Sequence, residues 1–358
     1  MLNSTLESLR WVYNKTLEVR KNSWMQEKKS VSLTQSNKLL TGWKKEKLEL
    51  NAVYSQVLQD AQVRVDLAFQ AFFRRVKAGE KAGYPRFKGY MRYDSLTYTQ
   101  FGYKLEANRL CVSKIGAVKV NMHRPIKGEV HRVTVRRNSR GKFFVSIICD
   151  VEANALPFKD GRVVGVDVGL ESFATLSNGE KIANPRFFRK EEAELAKAQR
   201  KLSAEKKGSM QWRRRLKVVE RVHERVSNKR SDFIHQESRR LVNRFGAIAF
   251  EDLNVKGMMQ GNLAKSIGDA GWSMFVNATR SKAEEAGCKV VLVNPNGTSQ
   301  TCSRCGLRVK KTLSERMHRC ECGLVMDRDV NAAINVLRLG LQSLSLRGIE
   351  AQDLQVWE

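Results

Sequence analysis

Two closely spaced cysteine pairs constrain what the last part of this chain can fold into. Cys302 and Cys305 are followed by fourteen residues and then by Cys320 and Cys322. Four thiolates arranged in two knuckles are a ligand set that Zn²⁺ prefers in structural sites. A glycine follows each pair, where the chain has to turn sharply to wrap a metal ion. The spacing therefore predicts a structural zinc site held by these four cysteines.

Other interpretations of the cysteines stay open. They could form a redox dithiol, or they could be core residues without a ligand. His318 could replace one cysteine as a ligand, but four cysteines suffice, and a surface histidine is the simpler interpretation. Seven cysteines in this arrangement do not resemble a secreted disulfide framework, and the chain has neither a signal-peptide-like start nor an apolar run of membrane-spanning length. We expect a prokaryotic cytosolic protein without a membrane partner.

The excess of basic residues indicates a polyanionic partner. The chain has 65 lysines and arginines against 37 aspartates and glutamates, a formal net charge of +28. A protein that repels itself this strongly usually binds a polyanion, and nucleic acid is the commonest one. The basic residues are spread along the chain, which favours a channel lined by several domains over a terminal arm. A merely soluble basic protein and a membrane-surface binder are the alternatives.

Hydrophobic periodicity divides the chain into parts. Residues 1–80 show the three- and four-residue apolar steps of helices, and residues 92–152 show the short β-branched and aromatic runs of strands. From residue 161 onward, strands alternate with helices, which predicts an α/β layer domain. The expected fold class is therefore multidomain, with α+β and α/β parts.

Three acidic residues occupy the ends or starts of predicted elements. Strand alternation in VVGVDVGL places Asp167 on the face opposite Val164, Val166 and Val168, beside glycines that leave room for a bulky backbone. Glu251 ends the apolar strand AIAFE, and Asp329 stands at the head of the helix in DRDVNAAINV. Each alone has an ordinary explanation as a cap or turn residue. Three converging carboxylates can hold two divalent ions for phosphodiester hydrolysis, and Mg²⁺ prefers such oxygen ligands.

Four stretches of the sequence together resemble one known family. They are GVDVGLESFATLSNGEKI, FEDLNVKGM, NPNGTSQTCSRCG and CECGLVMDRDVNAAINV. In wording and order they resemble the TnpB family, nucleases of insertion sequences that are similar to the type V CRISPR effectors. The resemblance is strong over residues 161–340 and looser over GYPRFKGYMRYDSLTY and the helical start.

The resemblance implies a RuvC-like domain of the RNase H fold with an inserted zinc ribbon. In that family an Asp, Glu, Asp triad binds magnesium or manganese, and the matching residues here are Asp167, Glu251 and Asp329. Asp327 lies two residues before Asp329, and only one of the two can face the metals if the segment is extended. We expect Asp327 to cap the helix or to pair with a basic neighbour.

The resemblance also gives expected domain boundaries. These are a helical recognition module at 1–80, a small β-barrel (wedge) module at 81–160, the first part of the RuvC-like nuclease domain at 161–298, the zinc ribbon at 299–326, the final RuvC-like segment at 327–341 and a C-terminal tail at 342–358. The family begins with a short strand, whereas this chain starts almost directly in LESLRWVYNK. Either the start is assigned late or the barrel lacks a strand.

The function implied by the resemblance is RNA-guided DNA cleavage. A guide RNA from the transposon end would pair with one target strand, and the protein would read a short flanking motif in the double-stranded DNA. A monomer in the RNA complex is expected, with a dimer as the alternative. The basic residues expected to contact nucleic acid are Arg86, Lys88, Arg136, Arg137, Arg213, Arg214 and Arg328. Solvated surface is the alternative interpretation of these charges.

Three other functions remain compatible with the motifs. A CRISPR-associated effector would take its guide from an array. A non-cutting RNA-guided repressor would be expected to lose triad acids, and here all three are present. A transposase acting in DNA transposition would join transposon ends without RNA.

Overall fold

Helices occupy the start of the chain, where apolar residues recur at helical spacing. The computed structural model describes residues 1–151, 161–312, 315–345 and 354–355. The first elements are α1 (Leu2–Glu27), α2 (Leu33–Glu46), a 3₁₀ helix (Leu48–Ala52) and α3 (Ser55–Lys77). Ser32 and Gln35 form a capping box that fixes the start of α2. The helical texture predicted for residues 1–80 is confirmed.

Six short strands follow these helices and form two separate antiparallel sheets. They are β1 (Ser95–Tyr98), β2 (Tyr103–Glu106), β3 (Arg109–Val112), β4 (Gly116–Lys119), β5 (Glu129–Arg137) and β6 (Phe143–Asp150). The strand orders are β1-β5-β6 and β2-β3-β4. In the described part of the expected barrel module, no strand of one sheet pairs with a strand of the other, so the closed barrel expected at 81–160 is wrong; its residues 152–160 lie outside the described chain.

Helices bury the apolar faces of these sheets, which explains why closure is not needed. Leu6 of α1, Leu58 of α3, Leu96 of β1 and Val133 of β5 are fully buried members of one hydrophobic cluster. A sheet that packs against helices removes its apolar side chains from water without curling into a barrel. The helices and strands thus share the core of one compact unit, Met1–Glu152.

The second compact unit, Ala153–Glu358, contains a mixed sheet with helices between its strands. Its elements are β7 (Gly161–Val168), β8 (Ser172–Leu176), β9 (Lys181–Ala183), α4 (Phe187–Ser203), α5 (Met210–Arg244), β10 (Ala247–Glu251), α6 (Val255–Met258), α7 (Ala264–Ala270), α8 (Trp272–Ala286), β11 (Lys289–Val293), β12 (Met317–Arg319), β13 (Val325–Asp327), α9 (Arg328–Ser345) and β14 (Leu354–Gln355). The main sheet has the order β11-β10-β7-β8-β9. Its first three strands are parallel, β8 and β9 are antiparallel, and β14 pairs with the start of β7. The predicted α/β layer is confirmed.

Helices cover both faces of this sheet. Val164 and Val166 pack with residues of α5 and α8, whereas Val163 lies in the cluster that contains Leu337 of α9. On one face, α9 packs unusually close to the sheet. A Cβ added at Gly165 would lie only 2.1 Å from the carbonyl oxygen of Ala333. The glycine therefore lets α9 lie directly on β7.

The longest helix is charged rather than apolar. α5 runs for 35 residues, and Val219, Val222 and Val226 are among its buried residues. Leu195 of α4 packs into the same small cluster as Val219 and Val222. Among the described helices, none is long and apolar enough to cross a membrane.

The expected C-terminal tail, 342–358, is only partly described. Residues 342–345 are the last residues of α9, and 354–355 form β14. The remaining residues of the expected tail, 346–353 and 356–358, lie outside the described chain.

Candidate active site and cysteine cluster

Asp167 and Glu251 lie at the same end of two neighbouring parallel strands. The register of β7 and β10 pairs Val166 with Phe250, and Asp167 and Glu251 are the next residues of the two strands. Asp167 is on the same strand face as Gly165, the face that α9 covers. Strand pairing therefore brings the first two acids together.

Asp329 reaches this end of the sheet on the first turn of α9. The helix passes over Gly165 at Ala333, which is one helical turn after Asp329. Asp167 is two residues beyond Gly165 on β7, and a helical turn and a two-residue strand step each cover about 6 Å. The close approach at Gly165 thus places the start of α9 near the carboxyl end of β7.

The pKa of Asp167 is consistent with the proximity of these acids. Burial, and then the negative charges of Glu251 and Asp329 with a smaller effect of Asp327, raise the pKa of Asp167 well above its ordinary value. Arg328 opposes this rise, and its Nε lies 3.4 Å from Oδ1 of Asp329. A divalent cation would relieve the repulsion, so the donor set fits magnesium or manganese.

Among the described residues, the four cysteines are the one group of three or more His, Cys, Asp or Glu side chains that could hold a metal ion as they stand, with ligand atoms within 4.8 Å of one another. Asp167, Glu251 and Asp329 do not form such a group in the structure.

Asp327 has a different role from Asp329. Its Oδ1 accepts hydrogen bonds from the backbone N–H groups of Asp329 (2.9 Å) and Val330 (3.2 Å), and its Oδ2 lies 2.6 Å from Nζ of Lys181. Burial disfavours the charged carboxylate, but these hydrogen bonds outweigh burial and hold the pKa of Asp327 below its ordinary value. The expected cap and the expected basic partner are both confirmed.

Sequence reasoning missed Thr298 as a site residue. Its buried hydroxyl donates a hydrogen bond to Oε1 of Glu251. Burial raises the pKa of Glu251, and the Thr298 bond partly opposes that rise. The one sequence signal nearby is the pair Asn331 and Asn335, which are buried one turn apart on α9 and bond to the Thr298–Thr301 segment.

A cleft of about 260 Å³ opens beside Glu251. It lies between the ends of β10 and β11 and one side of α8. Its polar lining includes Asp252, Ser273, Asn277 and Arg280. Glu251 is one of its lining residues, whereas Asp167 and Asp329 are not.

The four cysteines form one cluster, with Cys320 and Cys322 in the turn between β12 and β13 and Cys302 and Cys305 in the segment between β11 and β12. Sγ of Cys302 lies 3.6 Å from that of Cys322, and Sγ of Cys305 lies 3.5 Å from that of Cys320. Sulfurs bound to one zinc ion at about 2.3 Å would be about 3.8 Å apart, so the cluster fits the ion. Burial disfavours the Cys302 thiolate, but backbone N–H groups of Cys305 and Arg304 help to lower its pKa to about 6.

His318 is not on the surface, so that expectation is wrong. β12 turns its side chain inward, whereas Met317 and Arg319 on either side are exposed. The imidazole contacts Lys311, and its proximity to Cys302 helps to lower the pKa of that thiol. Strand alternation therefore buries the His318 side chain beside the cysteine cluster.

Most of the basic candidates are exposed. Arg86, Arg213 and Arg214 have exposed side chains, and no contact in the structure tests their expected role. Arg136 is also exposed and forms an ion pair with Asp94 at 3.2 Å. The position of Arg328, beside the acids, keeps it a candidate for phosphate contact.

Two basic candidates are engaged within the first unit. Arg137 is only 4% exposed, and its guanidinium donates to Oδ1 of Asn3 at 2.7 Å. Of the basic candidates, Arg137 is the least accessible to nucleic acid, because its guanidinium is buried and bonds to Asn3 and to the carbonyl of Met91. Lys88 is half-buried with its ammonium over the ring of Tyr13.

Known proteins resemble this chain over most of its length. The OrfB_IS605 family model, described as "Probable transposase", matches residues 146–262, and a Cas12f1-like TNB domain model matches residues 272–336. A "Putative RNA-guided DNA endonuclease" of Streptomyces pristinaespiralis is 37% identical over 349 residues, covering 95% of this chain and 85% of that protein. The "Putative RNA-guided DNA endonuclease InsQ" of Escherichia coli K12 is 31% identical over 353 residues, covering 92% and 86%.

A solved structure supports the fold, and sequence identity establishes the family. The Cas12f1 chain in a cryo-EM structure with sgRNA and target DNA gives a TM-score of 0.60 at 14% identity, covering 94% of this chain and 81% of that chain. At this identity the likeness concerns the mixed α/β fold alone. The two endonuclease relatives exceed 30% identity over more than four-fifths of their own length. The resemblance found in the motifs is thus confirmed, and this chain belongs to the TnpB family.

Proposed function

We propose that this chain is a transposon-associated, RNA-guided endonuclease that cuts target DNA by two-metal phosphodiester hydrolysis. The observation that carries the proposal is the convergence of acids at one end of the sheet: Asp167 and Glu251 follow paired residues of neighbouring parallel strands, and Asp329 on α9 is near enough to help raise the pKa of Asp167. A cluster of mutually repelling carboxylates is typical of a divalent-metal site. The names of the two endonuclease relatives support RNA guidance and DNA as the substrate.

Asp167, Glu251 and Asp329 are proposed to hold two magnesium or manganese ions. When bound, such ions supply activated water and stabilise the leaving oxygen of a phosphodiester. The rest of the site fixes the acids in place, through pairing of β7 with β10 and through the Asp327 cap on α9. Arg328, whose Nε lies 3.4 Å from Oδ1 of Asp329, would contact a non-bridging oxygen of the scissile phosphate.

The domain roles follow from the same proposal. Residues 161–298 and 327–341 would form the RuvC-like domain, and 299–326 the zinc ribbon. Residues 1–80 and the β-rich part of 81–160 would read the flanking DNA motif. The guide RNA would read the remaining target by base pairing, which leaves the protein to hold the nucleic-acid backbone. The protein would act in the prokaryotic cytosol.

Backbone contacts are proposed for the exposed basic residues. Arg86, Arg136, Arg213 and Arg214 would bind phosphates, a role that their exposed side chains allow, and Lys88 is the less exposed candidate. Each phosphate contact should add to the salt dependence of binding, because counterions are released. Measuring guide-RNA affinity against salt for Arg213→Gln with Arg214→Gln tests this, and an unchanged slope contradicts it.

The central test replaces each acid of the triad singly with alanine. Cleavage by the complex of protein, guide RNA and target DNA should be abolished in Asp167→Ala, Glu251→Ala and Asp329→Ala. Guide-dependent DNA binding should survive, because affinity comes from base pairing and backbone contacts. Glu284→Ala removes an exposed carboxylate of α8 and is the matched control for both measurements. Normal cleavage by all three triad variants would leave a non-cutting binding protein as the better account.

Sequencing the RNA that co-purifies with the protein separates the other functions. RNA from a transposon end supports the proposed function, whereas array-derived RNA indicates a CRISPR-associated effector. Protein that joins transposon ends without RNA would be a transposase.

A further inference from the structure

A buried hydroxyl is bonded to one acid of the proposed site. Thr298 is 5% exposed, and its Oγ1 donates to Oε1 of Glu251. The carbonyl of Pro295, 3.0 Å from the same Oγ1, is a second possible acceptor for its single proton. A carboxylate is the stronger acceptor of the two. Because threonine is neutral, this bond orients the Glu251 carboxylate without cancelling the charge that would attract a metal ion.

Thr298 is in turn held by the helix that carries Asp329. Nδ2 of Asn335 donates to the backbone carbonyls of Thr298 (2.9 Å) and Thr301 (2.7 Å). Asn335 is 2% exposed, so these bonds replace water that is absent from its surroundings. The segment that presents the Thr298 hydroxyl is therefore attached directly to α9.

A second asparagine extends this attachment to the cysteine cluster. Asn331 is fully buried, its Nδ2 donates to the carbonyl of Thr301 at 2.8 Å, and its Oδ1 accepts from the backbone N–H of Ser303 at 2.9 Å. Cys302, the first ligand of the cluster, lies between Thr301 and Ser303. The two asparagines thus connect the start of the cysteine knuckle to the helix that begins at the active site.

We propose that Thr298 is a positioning residue that orients the Glu251 carboxylate relative to Asp329, and that Asn335 holds Thr298 against α9. The inference rests on the proposed function, since it concerns the same metal site. Asp329 is held by the backbone of α9, and Glu251 is held to the same helix through Thr298 and Asn335. Residues that orient a ligand in this way commonly change metal affinity by about 10- to 100-fold when they are replaced.

A purely structural role for Thr298 makes a different prediction. If the hydroxyl only stabilised the loop before Cys302, its loss would lower the unfolding temperature or the zinc content and leave divalent-metal affinity unchanged. Metal affinity measured in folded, zinc-loaded protein therefore separates the two roles.

The experiment compares Thr298→Val with Thr298→Ser in the full chain, purified with its zinc. Mn²⁺ binding without nucleic acid is followed by electron paramagnetic resonance, and zinc content and unfolding temperature are measured on the same samples. Valine keeps the shape of threonine and removes the hydroxyl, so Mn²⁺ binding should weaken about tenfold. Serine restores the hydroxyl and should bind Mn²⁺ within about twofold of the parent. Ser299→Ala, which removes an exposed neighbouring hydroxyl, is the control.

A second readout uses the complete complex with guide RNA and target DNA. Thr298→Val should need more Mg²⁺ for half-maximal cleavage, and Thr298→Ser should not. Parent-like Mn²⁺ affinity in zinc-loaded Thr298→Val would overturn the inference. If Thr298→Val does not fold, Thr298→Ala takes its place under the same criteria.

The inference and the proposed function can fail separately. Absence of guided cleavage by the parent chain would contradict the proposed function, while the Mn²⁺ comparison would still test Thr298. Guided cleavage by the parent with parent-like Mn²⁺ binding in Thr298→Val would contradict the inference alone.

Discussion

The carboxylate of Asp327 accepts a hydrogen bond from the backbone N–H of Asp329 at 2.9 Å. The two acids are two residues apart, yet one is the cap of α9 and the other extends from its first turn. Capping satisfies amides that the helix leaves unpaired and favours negative charge at its positive end. Asp327 therefore orients the helix that presents Asp329 to the proposed metal site.

We expect Asp327→Asn to retain most cleavage and Asp329→Asn to abolish it. Asparagine can still cap α9, whereas Asp329→Asn removes a charged metal ligand. Asp327→Ala should be intermediate, because loss of a cap costs about 1 kcal/mol of stability. The measurement is cleavage rate in one assay with guide RNA and target DNA. Loss of cleavage in Asp327→Asn together with normal cleavage by Asp329→Asn would mean that the wrong acid was chosen.

We expect Gly165→Ala to destabilise the second unit. The new Cβ would lie 2.1 Å from the carbonyl oxygen of Ala333, so α9 would have to move off β7. Overpacking of this kind costs about 1–3 kcal/mol. Gly42→Ala is the control, because Gly42 lies in α2 with nothing within 4 Å of the new Cβ. That change should stabilise by about 1 kcal/mol, and denaturant unfolding of both variants measures the difference.

The cysteine cluster should bind about one zinc ion per chain. Cys302→Ser should lose most of this zinc, because it removes one of four soft ligands. Cleavage should weaken through loosening of the cluster, since the three acids remain. Cys149→Ser, on β6 in the first unit, should keep its zinc. Elemental analysis of protein purified without chelator measures the content, and zinc-free parent protein would contradict the assignment.

We expect Asp167→Asn to stabilise the metal-free protein at neutral and alkaline pH. The pKa of Asp167 is raised by folding, so the folded state carries a cost whenever this carboxylate is ionised. The gain on substitution is fully present above the raised pKa and disappears as pH falls below the unfolded value of about 3.9. Unfolding free energies at several pH values, with chelator, test this.

Added Mg²⁺ should make the parent more stable than Asp167→Asn. The ion binds and stabilises the folded parent, whereas the variant has lost one of the ligands. Glu284→Gln, an exposed change on α8, should show neither effect. Equal stability of Asp167→Asn and parent at pH 8 would contradict the proposed crowding of carboxylates.

Local features of the fold could be predicted from the sequence because their causes are local. Alternation in VVGVDVGL correctly separated Val164 and Val166 from Gly165. The glycines after each cysteine pair, Gly306 and Gly323, do adopt positive φ angles of 77° and 84°. The cysteine spacing likewise predicted a cluster that the structure forms. Strand period, turn geometry and ligand spacing each depend on a few adjacent residues.

The amino-acid sequence by itself determined the helices, the α/β layer, the cysteine set and the family. The tertiary structure alone decided that Arg137 is buried against Asn3, that His318 lies behind the cysteines and that helices, rather than barrel closure, cover the first unit's sheets. It also brought Thr298 to Glu251, which is 47 residues earlier in the chain. These outcomes depend on which surfaces pack together, and periodicity does not specify the partner that a buried polar group finds across the fold.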